Sequence, residues 1–295
     1  PYVARNIQGY LAQWTSVVDY PVWQLLAIVL LVLILASLTL VVILKRSLIA
    51  WGGWVAAVFS AIYMMHILMW GLSYHAGDLS VDLRLDTSSY NLEELVEAAE
   101  YYRDKAMELS SQVNRDSQGN VEFADFETLA ASAGKGFEIL TYEHHYPVFA
   151  GSRLPVKKLG WADMYSSMGI TGVTFGITGE AAVNPQIPDV TLPFTMIHEM
   201  AHRMCIANER DANFAGFLAC SVHPDLEFRY SGYFMAYRYC YNALASVNHP
   251  SASAAAARIQ AGVSQTLQQD MDGYSQFFRS RENALATNVA DTMND

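Results

Sequence analysis

Cysteine is scarce in this chain, cations are outnumbered, and two long stretches carry no charge at all. Three cysteines in 295 residues, Cys205, Cys220 and Cys240, argue against a disulfide framework, although one pair stays open in an oxidising compartment. Eighteen Lys and Arg against 29 Asp and Glu leave a formal charge of −11. The acidic excess lies after the apolar N-terminal part, so binding to nucleic acid is not expected. No charged residue occurs from position 25 to 44, and none again from 47 to 76.

Each uncharged run is long enough to cross a hydrocarbon core, which needs about 20 residues. The sequence therefore predicts two transmembrane helices, at about 22–44 and 48–72, within a segment 21–74. Lys45-Arg46-Ser47 is the only break between them. Both cations of the region sit in that turn, so the positive-inside rule places it in the cytoplasm and everything after Tyr74 outside. Trp23, Trp51, Trp54 and Trp70 fall near the span ends, as interfacial anchors do. His66 lies inside the second span and is read as a neutral packing residue. Residues 1–20, with Tyr2, Ile7, Tyr10, Leu11 and Trp14 at helical spacing, predict an amphipathic helix on the outer surface in contact with lipid. The chain starts at Pro1 without Met and is read as part of a longer product.

The remainder, 75–295, reads as one extracytoplasmic domain of mainly helical α+β type with a small sheet. Asn91 with Glu94 forms a capping box for a long helix, and a second helix is expected over about 123–140. Val173 to Ile177 alternates as a short strand bounded by glycines. Positions 251–295 read as helical.

The chemistry concentrates at His198-Glu199-Met200-Ala201-His202, on an apolar helix with Pro193 and Thr195 placed at its start. Residues four apart on a helix stack, so both imidazoles can address one ion while Glu199 points beside it. Zn²⁺ in a catalytic site takes three protein ligands and keeps a fourth position for water. On an unbroken helix Glu209 would lie about 10 Å along the axis from His202, too far to share the ion. A turn must intervene, and Asn208 is suited to cap a new helix there. Glu209 in the first turn of that helix is the expected third ligand, Asp211 the alternative, and Asn213 a supporting hydrogen-bonding residue. Cys205 is read as a small buried thiol rather than a ligand.

Glu209-x-x-Ala212-Asn213 resembles the Glu-x-x-Ala-Asp helix of the gluzincin metallopeptidases, with Asn213 in place of Asp. More of the chain is similar to an uncharacterised bacterial family of multi-pass membrane proteins with a zinc-peptidase-like motif. That likeness runs through Trp70 to Tyr74, Gly179 to Asn184, Pro193 to Thr195, the motif itself, Glu209 to Phe214 and Arg229 to Tyr233. Cys205 departs from the Gly that this family carries after the second His. The resemblance implies a membrane-anchored gluzincin-like fold but no substrate.

The function expected is zinc-dependent hydrolysis of peptide bonds at the outer face of the membrane. Glu199 serves as the base, and Tyr230 or Arg229, with His223 behind them, as donors to the oxyanion. Glu180 is assigned to a substrate amine and Asn184 to a carbonyl, on a segment near the cleft. The partners expected are a peptide or protein substrate and membrane lipid. The rival is a noncatalytic subunit of a membrane protein complex; hydrolysis of cell-wall amides would share the chemistry.

Overall fold

The computed structural model describes residues 2–294. After α1 (Tyr2–Thr15) come α2 (Val22–Ile43) and α3 (Leu48–Met69), each 22 residues and each long and apolar enough to cross a membrane. At 1.5 Å per residue each measures about 33 Å. Neither is used as core: the apolar window of each helix is unburied throughout. Lys45 turns the chain between them in the left-handed region, and the Ser47 hydroxyl caps α3 by accepting from Ala50 N.

The part after the apolar helices begins with α4 (Leu79–Asp82) and α5 (Leu92–Ser110), the latter opened by the expected Asn91 and Glu94 capping box. The single helix expected over 123–140 is instead two, α6 (Phe126–Ser132) and α7 (Gly134–Tyr142). The break brings α7 against a later helix so closely that a Cβ on Gly136 would stand 2.2 Å from the Ala219 carbonyl oxygen. There follow β1 (Lys157–Lys158), α8 (Ala162–Ser167), β2 (Gly172–Phe175) and β3 (Glu180–Val183). The chain ends in α9 (Leu192–Arg203), α10 (Glu209–Ser221), α11 (Leu226–Ala245), α12 (Pro250–Ala261) and α13 (Gln265–Asn294).

The sheet has the order β1-β3-β2, with β1 parallel and β2 antiparallel to β3, Phe175 facing Glu180 and Gly172 facing Val183. The segment assigned to the cleft, 179–184, is thus mostly the central strand, and every residue of β3 is buried. Helix α9 lies against this sheet on one side and α10 and α11 on the other, with Met196, Ile197 and Met200 fully buried between.

A four-residue connection makes α10 and α11 antiparallel neighbours. Gly232 lies against Cys220, Tyr233 against Phe217 with ring centroids 5.4 Å apart, and Tyr239 against Asn213. This pairing decides which part of α11 stands beside Glu209.

Candidate metal centre

Helix α9 starts with Pro193 in its first turn, as the sequence suggests, and the Ser231 hydroxyl accepts from Phe194 N, which has no partner within the helix. Thr195 is not a cap; it lies inside the helix and donates to Thr191 O at 2.9 Å. The rings of His198 and His202, one turn apart, have centroids 4.6 Å from each other. The helix stops at Arg203, and Cys205 adopts a left-handed conformation at φ 65°. That reversal carries the Ile206 carbonyl back to His202 Nδ1 at 2.8 Å. Asn208 then caps α10 by accepting from Arg210 N, and Glu209 enters in the first turn.

Glu209 Oε2 lies 3.3 Å from His198 Nε2, and its Oε1 lies 3.3 Å from His202 Nε2. One donor atom from each of the three residues falls within 4.8 Å of the others. A carbonyl can only accept, so the proton of neutral His202 sits on Nδ1 and the Nε2 lone pair faces a carboxylate. Either a proton on Nε2 or a cation between the two atoms would satisfy both. The two imidazoles hold the Glu209 carboxyl far below the usual carboxylate range. Burial pushes the His202 pKa down, but Glu209, Glu199 and the Ile206 carbonyl outweigh it and the net shift is upward.

Glu199 is 5% exposed, and burial raises its pKa against the opposing pull of both histidines and Thr174. The Thr174 hydroxyl of β2 lies 2.7 Å from Glu199 Oε2, while a Cβ on Gly172 would stand 2.5 Å from Oε1. The edge strand therefore lies directly over the carboxylate. Glu209 is 70% exposed and forms the open side of the cluster.

The donor set fits zinc. With bonds of about 2.0–2.2 Å, two ligands of a tetrahedral ion stand about 3.3 Å apart, the separation Glu209 keeps from each histidine. Nitrogen and carboxylate oxygen are donors zinc accepts, and His202 has the outer hydrogen bond that orients a metal-binding imidazole. A buried His198 Nδ1 has no hydrogen-bond partner among the described residues.

Several sequence assignments are corrected by the packing. Asp211 points away from the cluster: its Oδ2 accepts from Leu79 N at 3.0 Å at the start of α4. Glu180 is 2% exposed; it pairs with Lys157 and accepts from Val22 N and Trp23 N, so it cannot reach a substrate amine. Asn184 is fully buried, donating to Ser166 Oγ at 2.8 Å and accepting from Gln186 N, and it supports α8 rather than a substrate carbonyl. Arg229 donates to the carbonyls of His223 and Pro224, at the end of α10 opposite Glu209. Tyr230 is buried and donates to Asp270, which also pairs with Arg115. His223 is buried with both ring nitrogens engaged by backbone.

Tyr239, in the second half of α11, stands two ring contacts from the cluster. It donates to Asn213 Oδ1 at 3.0 Å, and its ring lies 6.2 Å from Phe194, which in turn lies 6.2 Å from His198. Burial, Tyr274 and the Glu209 charge push its pKa up to about 12. A short α10–α11 connection contained this information, since antiparallel pairing puts the second half of α11, not its start, beside residue 209.

Two exposed apolar helices of membrane length and a helical domain with a His-His-Glu cluster thus define the protein's class. The chain belongs to the family described as Protein of unknown function (DUF3810), whose model matches residues 2–295. No curated protein and no solved structure matches it.

Proposed function

We propose that this chain is a membrane-anchored, zinc-dependent metallopeptidase that hydrolyses peptide bonds at the outer face of the membrane. The observation that carries the proposal is the meeting of His198 Nε2, His202 Nε2 and both oxygens of Glu209 at 3.3 Å. The two apolar helices supply the anchor, and the charges of Lys45 and Arg46 set the orientation. A short antiparallel edge strand beside the motif helix also resembles the gluzincin arrangement.

His198, His202 and Glu209 would hold the ion, which supplies a Lewis acid for the carbonyl and lowers the pKa of a coordinated water to about 7. Thr174 fixes Oε2 of Glu199, leaving Oε1 to take the proton of the attacking water. The hydroxyl adds to the carbonyl carbon, the C–N bond breaks, and Glu199 returns the proton to the leaving nitrogen. Tyr239 would take the oxyanion role expected of Tyr230 by exchanging its bond to Asn213 for one to substrate. The free edge of β2 would pair with the main chain of an extended substrate.

The deep burial of Glu199 favours the rival reading, a noncatalytic subunit that keeps the metal. One comparison separates the two. The full chain and its Glu199→Gln variant should bind one equivalent of zinc alike by elemental analysis, while peptide products in the membrane fraction appear with the wild type alone. Identical product sets from both proteins would leave the subunit reading standing.

A further inference from the structure

The metal cluster lies against the outer ends of both apolar helices. Trp70 follows the last residue of α3, and its ring packs edge-on against the imidazole of His202 with centroids 5.6 Å apart. Trp23, in the first turn of α2, stacks on Phe175 of β2 at 5.3 Å, one residue beyond the Thr174 that holds Glu199. Gln8 of α1 ties the same parts together by donating to Met69 O at the end of α3 and to Gly176 O just past β2. Each span end is therefore one side chain away from the catalytic helix or its covering strand.

Helix α1 and the loop before α8 add apolar surface near the same ends of the apolar helices. Arg5, Gln8 and Ala12 of α1 point into the protein, whereas Val3, Tyr10 and Trp14 are 74%, 67% and 80% exposed on the opposite face. An amphipathic helix with its polar side buried and its apolar side outward suits a bilayer surface rather than water. On the far side, Gln24 of α2 exchanges two hydrogen bonds with the Gly160 backbone, and beside it Trp161, Met164 and Met168 are exposed. Both exposed apolar surfaces thus belong to segments tied to the first turn of α2 or to the end of α3.

We infer that the substrates are polypeptides anchored in the same membrane, cut within about five residues of the outer end of their own span. This rests on the peptidase reading and names its substrate class. Interfacial Trp residues mark the edge of the hydrocarbon, and His202 touches one of them. An extended chain advances about 3.3 Å per residue, and Trp70 stands 5.6 Å from the His202 ring, so a peptide leaving the bilayer beside it comes level with the cluster within its first few residues, fewer than about five. A distal domain of a membrane protein, or a soluble protein, would have to bend back to the lipid surface to be cut.

The test uses the full chain loaded with zinc in vesicles of phosphatidylcholine and phosphatidylglycerol. One substrate library carries about thirty randomised residues outside a synthetic leucine-rich span; the other carries the same residues free in solution. Cut positions are read by mass spectrometry, with Glu199→Gln vesicles as the blank. The expected result is that Glu199-dependent cuts gather within about five residues of the span, and that the free library is cut at least tenfold more slowly. Glu199-dependent cuts spread evenly along the thirty residues, or equal rates on the free library, overturn the inference and leave a peptidase. No Glu199-dependent cut in either library overturns the peptidase reading as well.

Discussion

The Lys157 ammonium and the Glu180 carboxylate meet at 2.6 Å directly beneath the first turn of α2, where the carboxylate accepts from the Val22 and Trp23 amides. The pair is almost fully buried, and it joins the central strand of the sheet to the first apolar helix. Breaking a buried pair by removing one partner costs about 3–5 kcal/mol, because the other charge is stranded. Glu180→Ala should accordingly lower the unfolding midpoint of the detergent-solubilised protein by many degrees, whereas Glu180→Gln, which still accepts from both amides, should lose less. Circular dichroism melts of the two variants check the order.

Glu209 and Asp211 are two residues apart yet belong to different structures. Glu209→Ala should weaken zinc binding by at least tenfold while leaving the fold intact, since its side chain is mostly exposed. Asp211→Ala should leave zinc affinity unchanged and destabilise the domain by about 1 kcal/mol through the lost acceptor for Leu79 N. Competition with a chromophoric chelator measures the first effect and thermal melts the second. A loss of zinc confined to the Asp211 variant would refute the ligand assignment.

Tyr239 and Tyr230 should behave in opposite ways. Removing a donor to the oxyanion costs about 10²–10³ in kcat, so Tyr239→Phe should lose turnover with normal zinc content and stability. Tyr230→Phe strips a buried hydrogen bond from Asp270 and should reduce stability by about 1–3 kcal/mol, with activity per folded molecule retained. Steady-state kinetics at matched zinc content distinguish them.

His223 gives the fold a dependence on pH away from the His198, His202 and Glu209 cluster. Its Nδ1 accepts from Asp225 N and its Nε2 faces the Ser132 carbonyl, both at 3.1 Å, an arrangement complete for the neutral ring. Burial depresses its pKa, with Lys135 adding to the effect and Asp225 opposing it. A base with a depressed folded pKa stabilises the fold fully above its unfolded value of about 6.5, and that contribution fades as pH falls through the folded value. The unfolding free energy should therefore decline from pH 7 towards pH 5, and the decline should be shallower in His223→Gln.

The features legible in the sequence are those set by neighbours along the chain. Helix periodicity places His198 and His202, the inability of an unbroken helix to return Glu209 demands a turn, and Asn208 caps the next helix as its side chain suggests. The two long apolar helices, the Asn91 capping box and the strand near 173 are equally local. What the sequence hid depends on remote partners. Glu180 meets Val22 across 158 positions, and Asp211 meets Leu79 across 132, so neither duty leaves a mark in the surrounding residues. Tyr239 is the intermediate case: Asn213 is only 26 positions away and the antiparallel return through the short α10–α11 loop relates them, yet the residues expected from the sequence are Tyr230 and Arg229 instead.

Gly172 has an importance out of proportion to its size. The space its missing side chain leaves is the space in which Oε1 of Glu199 stands, at 2.5 Å from where a methyl carbon would be. The arrangement hinges on an emptiness: one added carbon in the roof would push the Glu199 carboxyl aside while leaving His198, His202 and Glu209 where they are.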